Sequence, residues 1–98
     1  MEIIQSAIAG TMESSDVMIT LELGNGTIEI DLKSSVEKQF GKEIRRVITD
    51  TLIMLGVNSA RVRAIDKGAL DCAIRARVKT AAFRAAGLDN YTWGGHGE

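Results

Sequence analysis

Two runs of strict alternation constrain this chain more than anything else in it. Val17, Ile19, Leu21 and Leu23 alternate with Met18, Thr20 and Glu22, and Ile28, Ile30 and Leu32 alternate with Glu29 and Asp31. Successive side chains on a strand point to opposite sides, so each run carries one apolar face that must be covered. Between them lies Gly24-Asn25-Gly26-Thr27. Asn-Gly tolerates the positive φ angles of a two-residue type I′ turn. The spacing therefore predicts a hairpin in which Leu23 faces Ile28, Leu21 faces Ile30 and Ile19 faces Leu32. All six apolar side chains then share one face, and a one-residue slip would turn one strand's set outward.

A helix follows. Val36, Phe40, Ile44, Val47, Ile48, Thr51, Leu52 and Leu55 recur at helical spacing, while Lys38, Lys42, Glu43, Arg45, Arg46 and Asp50 fill the other faces. Ser34 and Glu37 have the spacing of a capping box, and Gly56 marks the stop. The apolar stripe is expected to cover the hairpin's apolar face, with the charges on a solvated outer face. Ala60, Val62 and Ala64 alternate with Arg61 and Arg63, which predicts a short strand over 57–65, broken by Asp66-Lys67-Gly68.

The stretch 69–78 fits two periods. Leu70, Cys72, Ile74, Ala76 and Val78 alternate as a strand would, yet Leu70, Ile74, Val78, Ala81 and Ala85 form a helical stripe. The alanine-rich continuation favours helix, so a helix over 69–86 is expected, ended at Gly87. With a less regular strand over 3–9, the order is β-β-β-α-β-α. That order predicts an α+β two-layer sandwich: a mainly antiparallel sheet of about four strands with two helices on one face. The folded domain is expected over 1–87. The segment 88–98 carries three glycines and no periodicity and reads as a flexible tail. Tyr91 and Trp93 are a thin indication of docking there, and His96 reads as a solvated residue.

Composition narrows the function classes. A chain of 98 residues can bury one modest core. A net charge of −1 and only 4% aromatic residues give no basic patch and no stacking platform for nucleic acid. No apolar run approaches the roughly 20 residues that span a bilayer, and the N-terminus lacks signal-peptide features. The lone Cys72 can form no internal disulfide, which fits a reducing cytoplasm, and its own reading is a small core or flanking hydrophobe. One histidine and one cysteine make no metal ligand set. Without proline, no rigid linker or second domain is expected. No nucleophile–base or acid–base pair can be assembled from motifs, which argues against an independent enzyme.

One polar cluster remains: Gly10-Thr11-Met12-Glu13-Ser14-Ser15-Asp16-Val17-Met18-Ile19. Short polar side chains bond their own backbone in exposed turns, and a solvated turn explains every residue here. The turn also presents two primary hydroxyls. No histidine or lysine lies beside them in sequence to activate either, but another enzyme can modify such a hydroxyl. Together with Ser34-Ser35-Val36-Glu37-Lys38-Gln39-Phe40-Gly41 and Asp66-Lys67-Gly68-Ala69-Leu70-Asp71-Cys72, this stretch resembles the acyl carrier (gamma) subunit of citrate lyase. Three separated motifs match in order and span nearly the whole chain. Ser6 departs from the pattern, where Pro is expected after Gln5.

The resemblance implies a carrier without catalysis of its own. In that family the serine of the Gly-Thr-x-Glu-Ser-x-Asp turn, here Ser14, holds a 2'-(5''-phosphoribosyl)-3'-dephospho-CoA group through a phosphodiester. The group's thiol would carry acetyl and citryl thioesters between an alpha acyl transferase subunit and a beta citryl lyase subunit. An attachment enzyme would be a further partner, with Glu13 and Asp16 suited to a loop that it recognises or to a plain turn. The chain lacks the Asp-Ser-Leu tripeptide at which four-helix acyl carriers are modified, so the resemblance implies a carrier on another scaffold. Two alternatives stay open: the related carrier of malonate decarboxylase, and a small interaction module with no covalent group. The Asp-Lys-Gly-Ala-Leu-Asp-Cys stretch favours the citrate system.

Overall fold

The computed structural model describes residues 1–88. Strands β1 (Ala7–Gly10), β2 (Val17–Glu22) and β3 (Ile28–Ser34) are followed by helix α1 (Glu37–Met54), strand β4 (Ala60–Asp66) and helix α2 (Asp71–Ala85). The element order and the α+β class are those expected. The expected tail lies outside the described residues, apart from Leu88.

The strand order is β1-β2-β4-β3, so the predicted β2–β3 hairpin does not form. β4 lies between them, antiparallel to β2 (Leu21 opposite Val62) and parallel to β3 (Ile30 opposite Val62). The sheet is accordingly mixed: two of its three pairings are antiparallel, as expected of a mainly antiparallel sheet, and one is parallel. The physical reason lies in the unit β3-α1-β4: a strand, a crossover helix and a second strand run parallel and pack side by side. β4 takes the edge of β3 that a hairpin would have used. Residues 23–27 instead pass across the start of β4, where Gly26 N–H donates to Ser59 Oγ (2.9 Å) and Ala60 N–H to the Thr27 carbonyl (3.0 Å). A Cβ at Gly24 would lie 2.5 Å from Ala60 N, so only glycine allows this approach. Leu23, expected inside, is exposed.

The alternation itself holds. Val17, Ile19 and Leu21 of β2, Leu32 of β3, and Ala60, Val62 and Ala64 of β4 are buried on one face. Both helices cover that face: α2 lies over β1 and β2, and α1 over β3, with the two helices packed together. Each fully buried large aliphatic side chain, such as Ile19, Leu21, Ile48 or Leu52, contributes roughly 1.5–3 kcal/mol. The other face of the sheet is polar over the β3–β4 pair, where Arg61 lies against Glu29 (3.5 Å), and carries Ile8, Met18 and Ile65 towards β1 and β2.

The stretch 69–78 is helical from Asp71. Ile74, Val78, Ala81 and Ala85 form its buried stripe, whereas Leu70 precedes the helix and is exposed. Phe40 is exposed too, although it was expected in the stripe of α1. Cys72 is exposed and not a core residue. The capping box is also absent. Val36 occupies the cap position, and Ser34 Oγ accepts from Val36 N–H (3.1 Å) while donating to Asp66 (2.8 Å). The helix begins at Glu37, so Glu37 stands in its first position rather than its third, and the Ser34 oxygen accepts the nearer Val36 amide instead.

Candidate functional site

The serine cluster closes the antiparallel β1–β2 hairpin. Its shape starts at Gly10, paired with Met18. Gly10 has φ +99°, and a Cβ there would stand 1.9 Å from the Val17 carbonyl oxygen. Any side chain would push the strands apart. Beyond it the loop folds on itself: Thr11 Oγ1 accepts from Glu13 N–H (3.2 Å), and Asp16 N–H donates to the Glu13 carbonyl (3.1 Å). Ser15 adopts φ +65°, the left-handed region that non-glycine residues rarely occupy.

Asp16 ties this loop to the rest of the molecule. Its carboxylate accepts from Thr11 Oγ1, from Val17 N–H (2.7 Å) and from two nitrogens of Arg77 on α2, Nε (3.1 Å) and Nη2 (2.8 Å). The bidentate guanidinium, then the Thr11 hydroxyl and the Val17 amide, hold the Asp16 carboxyl well below the usual carboxylate range. The same pairing raises the pKa of Arg77 above its ordinary value.

A second anchor comes from the turn after β4. Ser15 N–H donates to the Lys67 carbonyl (2.8 Å), and Lys67 N–H to the Asp16 carbonyl (2.9 Å). That turn is built around Asp66, a buried carboxylate facing the core. It accepts from Ser34 Oγ (2.8 Å), Gly68 N–H (3.2 Å) and Ala69 N–H (3.0 Å). Two aspartates thus fix the loop from two sides.

Ser14 sits at the exposed crest of this clamped loop. Its hydroxyl has no hydrogen-bond partner among the described residues. A rigid backbone presenting a free primary alcohol suits a covalent attachment point. Among the described residues no base is hydrogen-bonded to it, and the nearby Asp16 carboxylate is engaged by Thr11, Val17 and Arg77. Among the described residues no group of carboxylates, cysteine and histidine could hold a metal ion.

Ser14, Glu13 and Asp16 stand together as the motif implied, but Arg77 and Asp66 were missed. Asp66 had a signal: it continues the inward parity of Ala60, Val62 and Ala64. Arg77 precedes the buried Val78 by one residue, which places it at the margin of the α2 stripe. Nothing in the sequence showed that β4 would bring α2 and the loop to the same corner.

Comparison with known proteins agrees with this architecture. The family model ACP, described as malonate decarboxylase delta subunit (MdcD), matches residues 4–85. The citrate lyase acyl carrier protein of Streptococcus uberis is 60% identical over 93 residues, covering 95% of this chain and 92% of the relative. That of Streptococcus equi subsp. equi is 56% identical over 94 residues, with the same coverage. A crystal structure of a Pseudomonas malonate decarboxylase hetero-tetramer in complex with malonate contains a chain of the same fold. Its TM-score is 0.73 at 20% identity, over 85% of this chain and 86% of that one. This chain therefore belongs to the acyl carrier family of the citrate lyase acyl carrier proteins and the malonate decarboxylase delta subunits.

Proposed function

We propose that this chain is the non-catalytic acyl carrier subunit of a cytoplasmic citrate lyase, modified on Ser14. The observation that carries the reading is the 60% identity to a citrate lyase acyl carrier protein across nearly the whole of both chains. The group proposed on Ser14 is 2'-(5''-phosphoribosyl)-3'-dephospho-CoA, joined through a phosphodiester, with acyl transferase (alpha) and citryl lyase (beta) subunits as partners. Bound there, it would supply a thiol that holds acetyl and citryl groups as thioesters.

The residues present fit such a group. Ser14 is exposed and its hydroxyl has no partner among the described residues, so attachment breaks no hydrogen bond there. The charge of Asp16, which would repel a phosphodiester, is countered by Arg77 at 2.8 Å. The chain's own work is then mechanical. Gly10 and Asp16 hold the loop in one shape, Ser14 bears the tether, and the fold keeps the tethered group at high local concentration near partner sites. In this reading both attachment and acyl chemistry fall to partner enzymes.

Intact mass after expression with the attachment enzymes tests this. The wild-type chain and Ser15→Ala should gain the mass of the group, and a folded Ser14→Ala should not. Modification that survives Ser14→Ala would overturn the assignment. Citrate and malonate assays of the assembled complex separate this reading from the decarboxylase alternative.

A further inference from the structure

The end of the molecule that carries Ser14 also holds a groove that the carrier reading does not use. It lies where α1 and α2 begin, encloses about 380 Å³, and is walled by Val36, Phe40, Ile44, Ala69 and Leu70. Phe40 is 51% and Leu70 73% exposed, an unusual position for two large apolar side chains that flank one opening. Its charged lining is acidic. Asp66, Glu43 and Asp71 stand on it, Asp66 engaged by Ser34 and by two amides of its own turn, Glu43 and Asp71 near enough for their side chains to interact, and no basic residue among those described lines it.

The groove is continuous with the serine loop. Ser15 N–H is bonded to the Lys67 carbonyl at 2.8 Å, and the next two residues, Gly68 and Ala69, form the groove wall. We infer that this groove is a resting site for the uncharged acyl-thioester end of the group on Ser14. The inference rests on the proposed attachment. Its occupant follows from the lining: apolar walls accept a short acyl group and the methylenes before it. Glu43 and Asp71 accept amide N–H donors, and with Asp66 they oppose a chain end that bears carboxylates of its own. A tether anchored one residue from Ser15 raises the effective concentration of that end at the groove. A carrier built this way shelters an acetyl thioester from water and leaves a carboxylate-bearing acyl group outside, available to partners.

The test has two arms. In the first, amide chemical shifts of the unmodified chain are followed while S-acetylpantetheine, and separately S-succinylpantetheine, is added. Shifts should centre on Phe40, Ile44, Ala69 and Leu70. The succinyl compound should bind about tenfold more weakly, because its free carboxylate meets Glu43 and Asp71. Leu70→Glu, at an exposed position that leaves the core intact, should abolish the shifts. In the second arm, the acetyl-loaded chain should react with hydroxylamine several-fold more slowly than S-acetylpantetheine does, and Leu70→Glu should remove that protection. Shifts confined to residues 11–16, equal rates in both proteins, or groove shifts that arise only with partner subunits would each overturn the inference. A chain that gains no mass on Ser14 overturns the attachment instead, and the first arm still decides the groove.

Discussion

Asp16 and Asp66 stand at the same end of the sheet, next to one pairing of β2 with β4, in which Val17 lies opposite Asp66. They are held by opposite means. Asp16 is partly exposed and neutralised by Arg77, a bidentate pair with 16% and 40% of the side chains exposed. Asp66 is buried, has no cationic partner among the described residues, and is satisfied by one hydroxyl and two backbone amides. The first is a clamp between the loop and a helix. The second is a hub that shapes the turn on which the loop rests. A surface clamp can be released with modest loss, because water takes over its partners. A buried hub loses more, since three part-buried donors lose the one acceptor they share.

The largest expected effect follows from the hub. Asp66→Ala removes the shared acceptor of a hydroxyl and two amides that are themselves only part-buried, so a loss of about 2–4 kcal/mol is expected, short of the full penalty for three buried donors. Urea unfolding measures it directly. Asp66→Asn should lose less, because its amide oxygen still accepts. A loss below about 1 kcal/mol for Asp66→Ala would erase the distinction between hub and clamp.

Asp16→Asn should cost less, about 1–2 kcal/mol, since Arg77 is substantially exposed and the pair is screened. The clamp differs from the hub in leaving a signature in acid. The folded-state pKa of Asp16 is depressed, so its contribution is fully present above the unfolded value near 4 and is lost as pH falls through the depressed folded value. Stability of wild type and Asp16→Asn, measured from pH 7 downward, should therefore differ at neutral pH and converge below the ordinary carboxylate range. Curves that stay parallel into acid would show that the Arg77 pair contributes nothing through charge.

The two anchors were unequally legible in the sequence, and the reason is topological. Periodicity located β2, β3, β4 and both helices, because it reports which side of an element is covered; the irregular first strand, expected over 3–9, begins only at Ala7. It does not report which strand is the neighbour. Ile19, Leu21 and Leu32 face the core whether β2 and β3 pair directly or flank β4, so the alternation could not exclude the hairpin. The strand–helix–strand unit after Ile28 could have, since its parallel pairing competes for the same edge. Likewise the polar turn that holds Ser14 was legible from a local motif, while the Asp16–Arg77 pair spans 61 positions and exists only because β4 and α2 fold back to the loop. Phe40 and Leu70 fell on apolar stripes by period, yet both lie where the helices begin and line a groove.

The smallest effect concerns Ser15, and it separates a conformational role from a chemical one. Ser15 adopts φ +65°, and its hydroxyl, like that of Ser14, has no partner among the described residues. If the aspartates hold the loop, Ser15 contributes only its backbone, through the amide bonded to Lys67. Ser15→Gly then relieves roughly 1 kcal/mol of left-handed strain. It also adds unfolded-state freedom worth about 0.4–1 kcal/mol. The two nearly cancel, so stability should change by less than about 0.5 kcal/mol, below the loss expected for Asp16→Asn. Ser15→Val is the counter-test: a β-branched residue is a steric outlier at this φ and should destabilise clearly more than glycine. A Ser15→Gly loss as large as that of Asp16→Asn would mean that the serine hydroxyl, and not the carboxylate clamp, keeps the loop in shape.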